Sequence, residues 1–128
     1  VDAIIGSRDR SRGAEAARAL DADFVQLDVT DDESVARAAS EIESGGSTLD
    51  ILVNNAGVLL ELYHRDPSSV PIELVQRTYD TNVFGAIRVT NAFLPLLRRA
   101  PAARIVNAPS GTLSRSKACS GCAVSSIV

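Results

Sequence analysis

Leu49-Asp50-Ile51-Leu52-Val53 runs directly into Asn54-Asn55-Ala56-Gly57, and this junction constrains the fold more than any other stretch of the chain. A short, mainly apolar run reads as a strand buried on both faces, which belongs in a parallel sheet flanked by helices. Two amides, a small residue and a glycine at its end supply side chains that bond neighbouring backbone. They also leave a place where a ligand's ring can approach the main chain closely. The expected architecture is therefore α/β, with a binding floor where the strand ends.

The flanking segments alternate as such a sheet requires. Val1 to Ile5 reads as a strand stopped by Gly6-Ser7, with Arg8 at its exit. Asp9 or Ser11 can cap a helix reaching about Leu20, with Ala14, Ala17 and Leu20 towards the sheet. Asp23 to Leu27 is a second strand. Thr30-Asp31-Asp32-Glu33 has the pattern of a capping box, in which the threonine oxygen and the glutamate each take a free amide of the first turn. The helix it opens runs to about Glu43, buries Val35, Ala38, Ala39 and Ile42, and stops at Gly45-Gly46 before the strand Leu49 to Val53.

Val58 to Pro71 is irregular, too long for a simple turn, and is expected to border a cleft. From Ile72 the apolar positions Val75, Tyr79, Val83, Ala86, Val89, Phe93 and Leu97 step by three or four, which predicts one long helix over 72–98. Pro95 removes a helical hydrogen bond and predicts a bend in the final turns. Arg104 to Ala108 is the last strand. The whole order is that of a doubly wound parallel sheet with right-handed crossovers. It occupies residues 1–112; residues 113–128 show no period and read as an irregular tail.

Composition narrows the function. A chain of 128 residues, 45% hydrophobic and 23% charged, fits one globular domain, and a net charge of −3 gives no basic field for nucleic acid or an anionic membrane surface. No apolar run approaches the roughly 20 residues needed to cross a bilayer. Cys119 and Cys122 both fall in the last ten residues, so a disulfide scaffold is not expected and a reducing, cytoplasmic setting is. Their spacing matches thiol-redox pairs but lacks the strand-to-helix context, and neither a redox nor a metal role is assigned to them.

Leu27-Asp28-Val29-Thr30, Asn54-Asn55-Ala56-Gly57 and Thr81-Asn82-Val83-Phe84-Gly85, in this order and at these separations, resemble the short-chain dehydrogenase/reductase family, and Arg8 resembles the residue at the matching position in its NADP-preferring members, carbonyl reductases included. The resemblance covers about residues 1–112 and starts at the family's second strand. It implies an incomplete Rossmann-type sheet lacking the first strand and those after the fifth, with the missing first strand lying between the strands at 1–5 and 49–53. It implies hydride transfer between a nicotinamide and a carbonyl or alcohol, and possible pairing of subunits through the helix 72–98.

Five residues match cofactor-binding positions. Arg8 matches the place that faces the 2′-phosphate of NADP; a planar guanidinium gives a phosphate two charge-assisted bonds, whereas NAD users commonly carry a carboxylate there. A solvated surface arginine beside a capping Asp9 is the plainer alternative. Asp28 matches the residue beside the adenine amine, although it could be a simple turn acid. Ala56 and Gly57 lie along the cofactor in the family, while Asn54 mainly ties the central strands together.

The catalytic group is only partly present. Asn82 matches the asparagine that bends the long helix and holds a water of the proton relay, and an amide on such a helix needs a partner in any case. Ser110 matches the serine that bonds the substrate carbonyl, with Pro109 replacing the usual small residue before it. Lys117 fits the family's lysine when Leu113-Ser114-Arg115-Ser116-Lys117-Ala118 is aligned with Tyr-Ser-x-Ser-Lys-Ala, but Leu113 then stands in the tyrosine's place. The other register puts Ala123 and Ile127 at the two positions. Tyr63, Tyr79 and His64 are no substitutes for the acid. The alternative to an active enzyme is thus an inactive fragment with at most cofactor- or subunit-binding ability.

Overall fold

A computed structural model describes residues 2–46, 48–60 and 66–108. Four parallel strands and four α-helices alternate: β1 (Ile4–Ser7), α1 (Arg10–Leu20), β2 (Asp23–Gln26), α2 (Asp32–Ser44), β3 (Ile51–Asn54), α3 (Ile72–Tyr79), α4 (Ala86–Leu97) and β4 (Arg104–Asn107). A π-helical segment, Asp80–Gly85, joins α3 to α4 without a break. The expected α/β class and parallel pairing are both present. The irregular tail 113–128 lies outside the described residues.

β1 runs through Gly6 and Ser7 instead of stopping before them, because these residues pair with Val25 and Gln26 of β2 and the Ser7 carbonyl accepts from Leu27 at 3.0 Å. Asp9 caps α1, its carboxylate accepting from the Arg12 amide at 3.0 Å. The buried face of α1 is Gly13 and Ala17, not the expected line of Ala14, Ala17 and Leu20; Leu20 is exposed. Gly13 explains the shift, since a Cβ there would stand 2.8 Å from Phe24 Cδ2 and 2.8 Å from Ser7 Cβ. The helix settles onto the sheet through its least bulky residue.

The predicted capping box is also corrected. Asp31 is the N-cap of α2 and accepts from the Glu33 amide at 2.9 Å, while the Thr30 hydroxyl turns back to Asp28 at 2.7 Å. Carboxylate and hydroxyl compete for the cap, and a better partner for the hydroxyl lies upstream. Val35, Ala38 and Ile42 are buried as expected, with Ala39 packed at the edge of the core.

The long helix departs most from expectation. Its winding changes around Asn82, and Pro95 lies inside a continuous α4. Tyr79 and Val83, predicted for the core, are 54% and 41% exposed; Thr78 and Gly85 are buried instead. Val89, Phe93 and Leu97 are buried as expected; only around the π segment does the stripe fail, because there the inward face is filled by small and polar side chains.

The strands form two separate two-stranded sheets, β1–β2 and β3–β4. Successive residues of a strand face opposite ways, so α1 covers the Phe24 side of β2 and α2 covers the Val25 side. On that second side α2 and α4 pack together, and one core unites Val25, Leu27, Val35, Leu52, Phe93 and Leu97, with Ile4 against it. Side chains therefore bridge the two sheets where no backbone ladder among the described residues does. The face of β3–β4 turned away from α4 leaves Ile51 55% and Val106 46% exposed.

Unpaired strand edges and an open apolar sheet face both weaken a small domain. Calorimetry on the isolated 128-residue chain should show no cooperative unfolding well above ambient temperature. A sharp transition at high temperature would mean that the edges of β1 and β3 are satisfied in solution.

Candidate cofactor cleft

A cleft of about 260 Å³ opens at the carboxyl ends of β1, β2 and β3, the place where parallel α/β sheets receive ligands. Arg8 enters from the exit of β1, Asp28 and Thr30 from the turn after β2, and Ala56 and Gly57 from the segment after β3. Thr81, on the π segment, supplies the far wall. Four of the five residues matched to cofactor positions therefore line one groove.

Each wall has a local cause. Asp28 Oδ1 accepts from the Thr30 amide at 3.0 Å and the Thr30 hydroxyl at 2.7 Å, closing a tight turn whose acid keeps its second oxygen out of these bonds. The Asp28 amide in turn donates to Ser34 Oγ at 3.0 Å, which ties the turn to α2. The bond from the Thr30 amide, helped by the Thr30 hydroxyl and the charge of Arg8 and opposed by partial burial, holds the Asp28 carboxyl below the ordinary range. The Arg8 carbonyl accepts from Gln26 Nε2 at 3.4 Å.

Asn82 lies behind the groove rather than on it. Its Oδ1 accepts from the Val58 amide and its Nδ2 donates to the Val58 carbonyl, each at 2.8 Å. The amide mimics a strand partner for Val58, which lines the cleft beside Gly57. This satisfies the expectation that Asn82 needs a partner, and it locates that partner on the loop after β3. The π winding accompanies the contact: π turns recur where a helix must present a side chain that regular winding would misplace.

Gly85 makes a comparable adjustment one turn on. A Cβ there would stand 2.7 Å from Val29 Cγ2 and 3.2 Å from the Val29 carbonyl oxygen. Only glycine lets the helix come this near the β2 turn.

Asn54 does not line the cleft. Its Nδ2 donates to Thr90 Oγ1 at 3.0 Å and to Asn107 Oδ1 at 2.8 Å, joining β3 to α4 and β4. Tyr63, His64, Pro109, Ser110, Leu113, Lys117, Cys119 and Cys122 all lie outside the described residues. Thr30 and Thr81 went unassigned as site residues in the sequence; Thr30 was hidden by its apparent role as a cap. Among the described residues no cluster of three His, Cys, Asp or Glu could hold a metal ion, and no helix is long and apolar enough to cross a membrane.

Residues 2–121 match the short chain dehydrogenase family. The chain is 36% identical to a short-chain dehydrogenase/reductase of Aspergillus fumigatus over 84% of its own length and 44% of that protein's. It is 35% identical to carbonyl reductase [NADPH] 1 of Rattus norvegicus over 93% of its own length and 43% of the relative's. Serine dehydrogenase from Escherichia coli superposes with a TM-score of 0.76 at 27% identity, covering 91% of this chain and 54% of that one. The chain thus spans less than half the length of these two curated relatives.

The Asp28 turn carries a pH signature. Its carboxyl is held below its unfolded value of about 3.9, so the stabilisation is present above that value and is lost as pH falls through the folded one. In urea titrations, Thr30→Val should move the acid limb of the stability profile to higher pH, and Asp28→Asn should flatten it. Identical acid limbs in all three proteins would show that the turn is not formed.

Proposed function

Because the chain belongs to the short-chain dehydrogenase family, we propose that it derives from an NADP(H)-dependent oxidoreductase acting on a small or lipophilic carbonyl or alcohol. The observation that carries this reading is the shared groove of Arg8, Asp28, Ala56 and Gly57. Arg8 would take the 2′-phosphate of the cofactor through its guanidinium fork, and Asp28 would accept from the adenine amine with its second oxygen. Ala56 and Gly57 keep the floor low enough for close approach. NADPH bound there would supply the hydride. The relative named carbonyl reductase [NADPH] favours the same cofactor and substrate class.

Asn82 holds the loop at Val58 against the groove and, in this reading, anchors the water of the proton relay. Ser110 bonds the substrate carbonyl and Lys117 takes the lysine's part. In either register, Leu113 with Lys117 or Ala123 with Ile127, the residue matched to the family's tyrosine cannot donate a proton, a loss on the order of 10²-fold or more in rate. The missing proton donor favours a second reading, a chain that binds cofactor or a partner subunit without turnover. Tyr79, Val83, Phe84 and Ile87 form an exposed apolar stripe on the long helix, consistent with a second copy packing there. A cytoplasmic setting completes the proposal.

The test is fluorescence titration of the purified chain with NADPH and NADH. NADPH should bind more tightly, and Arg8→Ala should weaken NADPH by about tenfold, the worth of a charge-assisted bond, while leaving NADH nearly unchanged. Equal weakening of both, or no saturable binding, would remove the NADP assignment. With an aldehyde and ketone panel, turnover abolished by Ser110→Ala supports the enzyme; saturable binding without turnover supports the second reading.

A further inference from the structure

Arg88 is the least exposed ion-pairing arginine among the described residues, at 28% against 66% for Arg37. It stands early in α4 and reaches three different elements. Its Nε lies 2.9 Å from Asp32 Oδ1 at the start of α2, and its Nη2 lies 2.8 Å from Asp80 Oδ1 at the start of the π segment. Its Nη1 donates to the carbonyls of Val29 at 3.4 Å and Asp80 at 3.5 Å. The guanidinium itself does not line the cleft. Its partners flank the residues that do: Val29 is a cleft residue, Asp80 precedes Thr81, and Asp32 follows the Thr30 turn.

We infer that Arg88 is a positioning residue that sets the cleft's width by clamping the β2 turn to the π segment. The two rims belong to elements with no hydrogen-bonded ladder between them, so their separation is set by what spans the back of the groove. Gly85 permits the close approach on Val29; Arg88 maintains it. A planar fork of five donors can serve two carboxylates and a carbonyl at once, whereas an ammonium on a flexible stem cannot hold all three in one geometry. Because one guanidinium is shared by two carboxylates from separate segments, removing it leaves Asp32 and Asp80 with no common partner to join the segments that carry them. The effect continues along the chain: Asp80 fixes the π segment, the π segment carries Asn82, and Asn82 holds the Val58 amide on the opposite rim.

The inference deepens the proposed cofactor reading, and its test keeps the two separable. Amide hydrogen exchange is measured on the 128-residue chain and on its Arg88→Lys and Asp80→Asn variants. The Asp80→Asn variant is nearly isosteric and guards against loss of the fold. Exchange at Val58 should rise by about tenfold or more in both, while amides within the β1–β2 ladder keep their rates. NADPH and NADH titrations run alongside. The clamp predicts that both cofactors weaken by a similar factor of about five to ten in Arg88→Lys, in contrast to the NADPH-selective loss in Arg8→Ala. A role in folding alone would raise exchange throughout and leave the dissociation constant of the folded fraction unchanged. That pattern, or an unaltered Val58 rate in both variants, overturns the clamp. If the parent chain binds neither cofactor, the NADP reading fails and the Val58 rates alone decide for or against Arg88.

Discussion

The packing of α4 against α2, over the end of β3, is the interaction on which the rest of the molecule depends. Without it, β1–β2 and β3–β4 would be two unrelated hairpin-sized sheets, each too small to stand alone. Val89, Phe93, Leu96 and Leu97 enter a core that already holds Val35, Ala38 and Ile42 from α2 and Leu52 from β3. Burying each such side chain contributes roughly 1.5–3 kcal/mol, so the contact can hold two sheets in register without a backbone ladder. Polar ties reinforce it at the rim: Asn54 joins β3 to Thr90 of α4, Asn82 joins the π segment to Val58, and Arg99, in the turn just beyond α4, pairs with Glu43 of α2.

This arrangement explains why the cleft's walls are specified by residues on α4's approach. A hydrophobic contact is non-directional and fixes separation only loosely; hydrogen bonds and close van der Waals contacts fix it finely. Gly85 sets the minimum distance, and the two bonds of Asn82 fix the height of the Val58 loop. The π winding is the local distortion that lets one helix do both. A regular helix would keep every backbone bond but would turn Asn82 to a different azimuth, and the exposed stripe of Tyr79 and Val83 would rotate with it.

Much of this was legible in the sequence. Apolar runs ending in Gly, Asn or Asp marked the strands; Arg8, Asp28, Ala56 and Gly57 were picked out by the family resemblance, and they share a groove because the carboxyl ends of parallel strands lie side by side. The helix faces were less legible. Periodicity counts apolar residues, whereas the inward surface near the site is made of Thr78, Gly85 and Asn82, chosen for size and bonding. The cap of α2 was misplaced for a related reason: Thr30 and Asp31 are equally good caps locally, and only the tertiary position of Asp28 decides between them. Arg88 was invisible, since its two carboxylates come from separate elements and nothing in the local pattern distinguishes it from a solvated surface charge.

The separation of the sheets also couples folding to ligand binding. A ligand along the groove touches the exits of β1 and β2 on one side and of β3 on the other, so its binding energy adds directly to the cross-sheet interaction. At a hundredfold excess over its dissociation constant that addition is about 2.7 kcal/mol, a large share of the 5–15 kcal/mol typical of a whole domain. The converse holds as well. Whatever fraction of molecules has the two rims correctly spaced scales the apparent affinity down by that fraction. Substitutions that loosen α4 from α2 should therefore weaken binding without touching a single residue of the groove. Side chains such as Phe93 and Leu96, which do not line the groove, would bear on ligand binding as much as on folding.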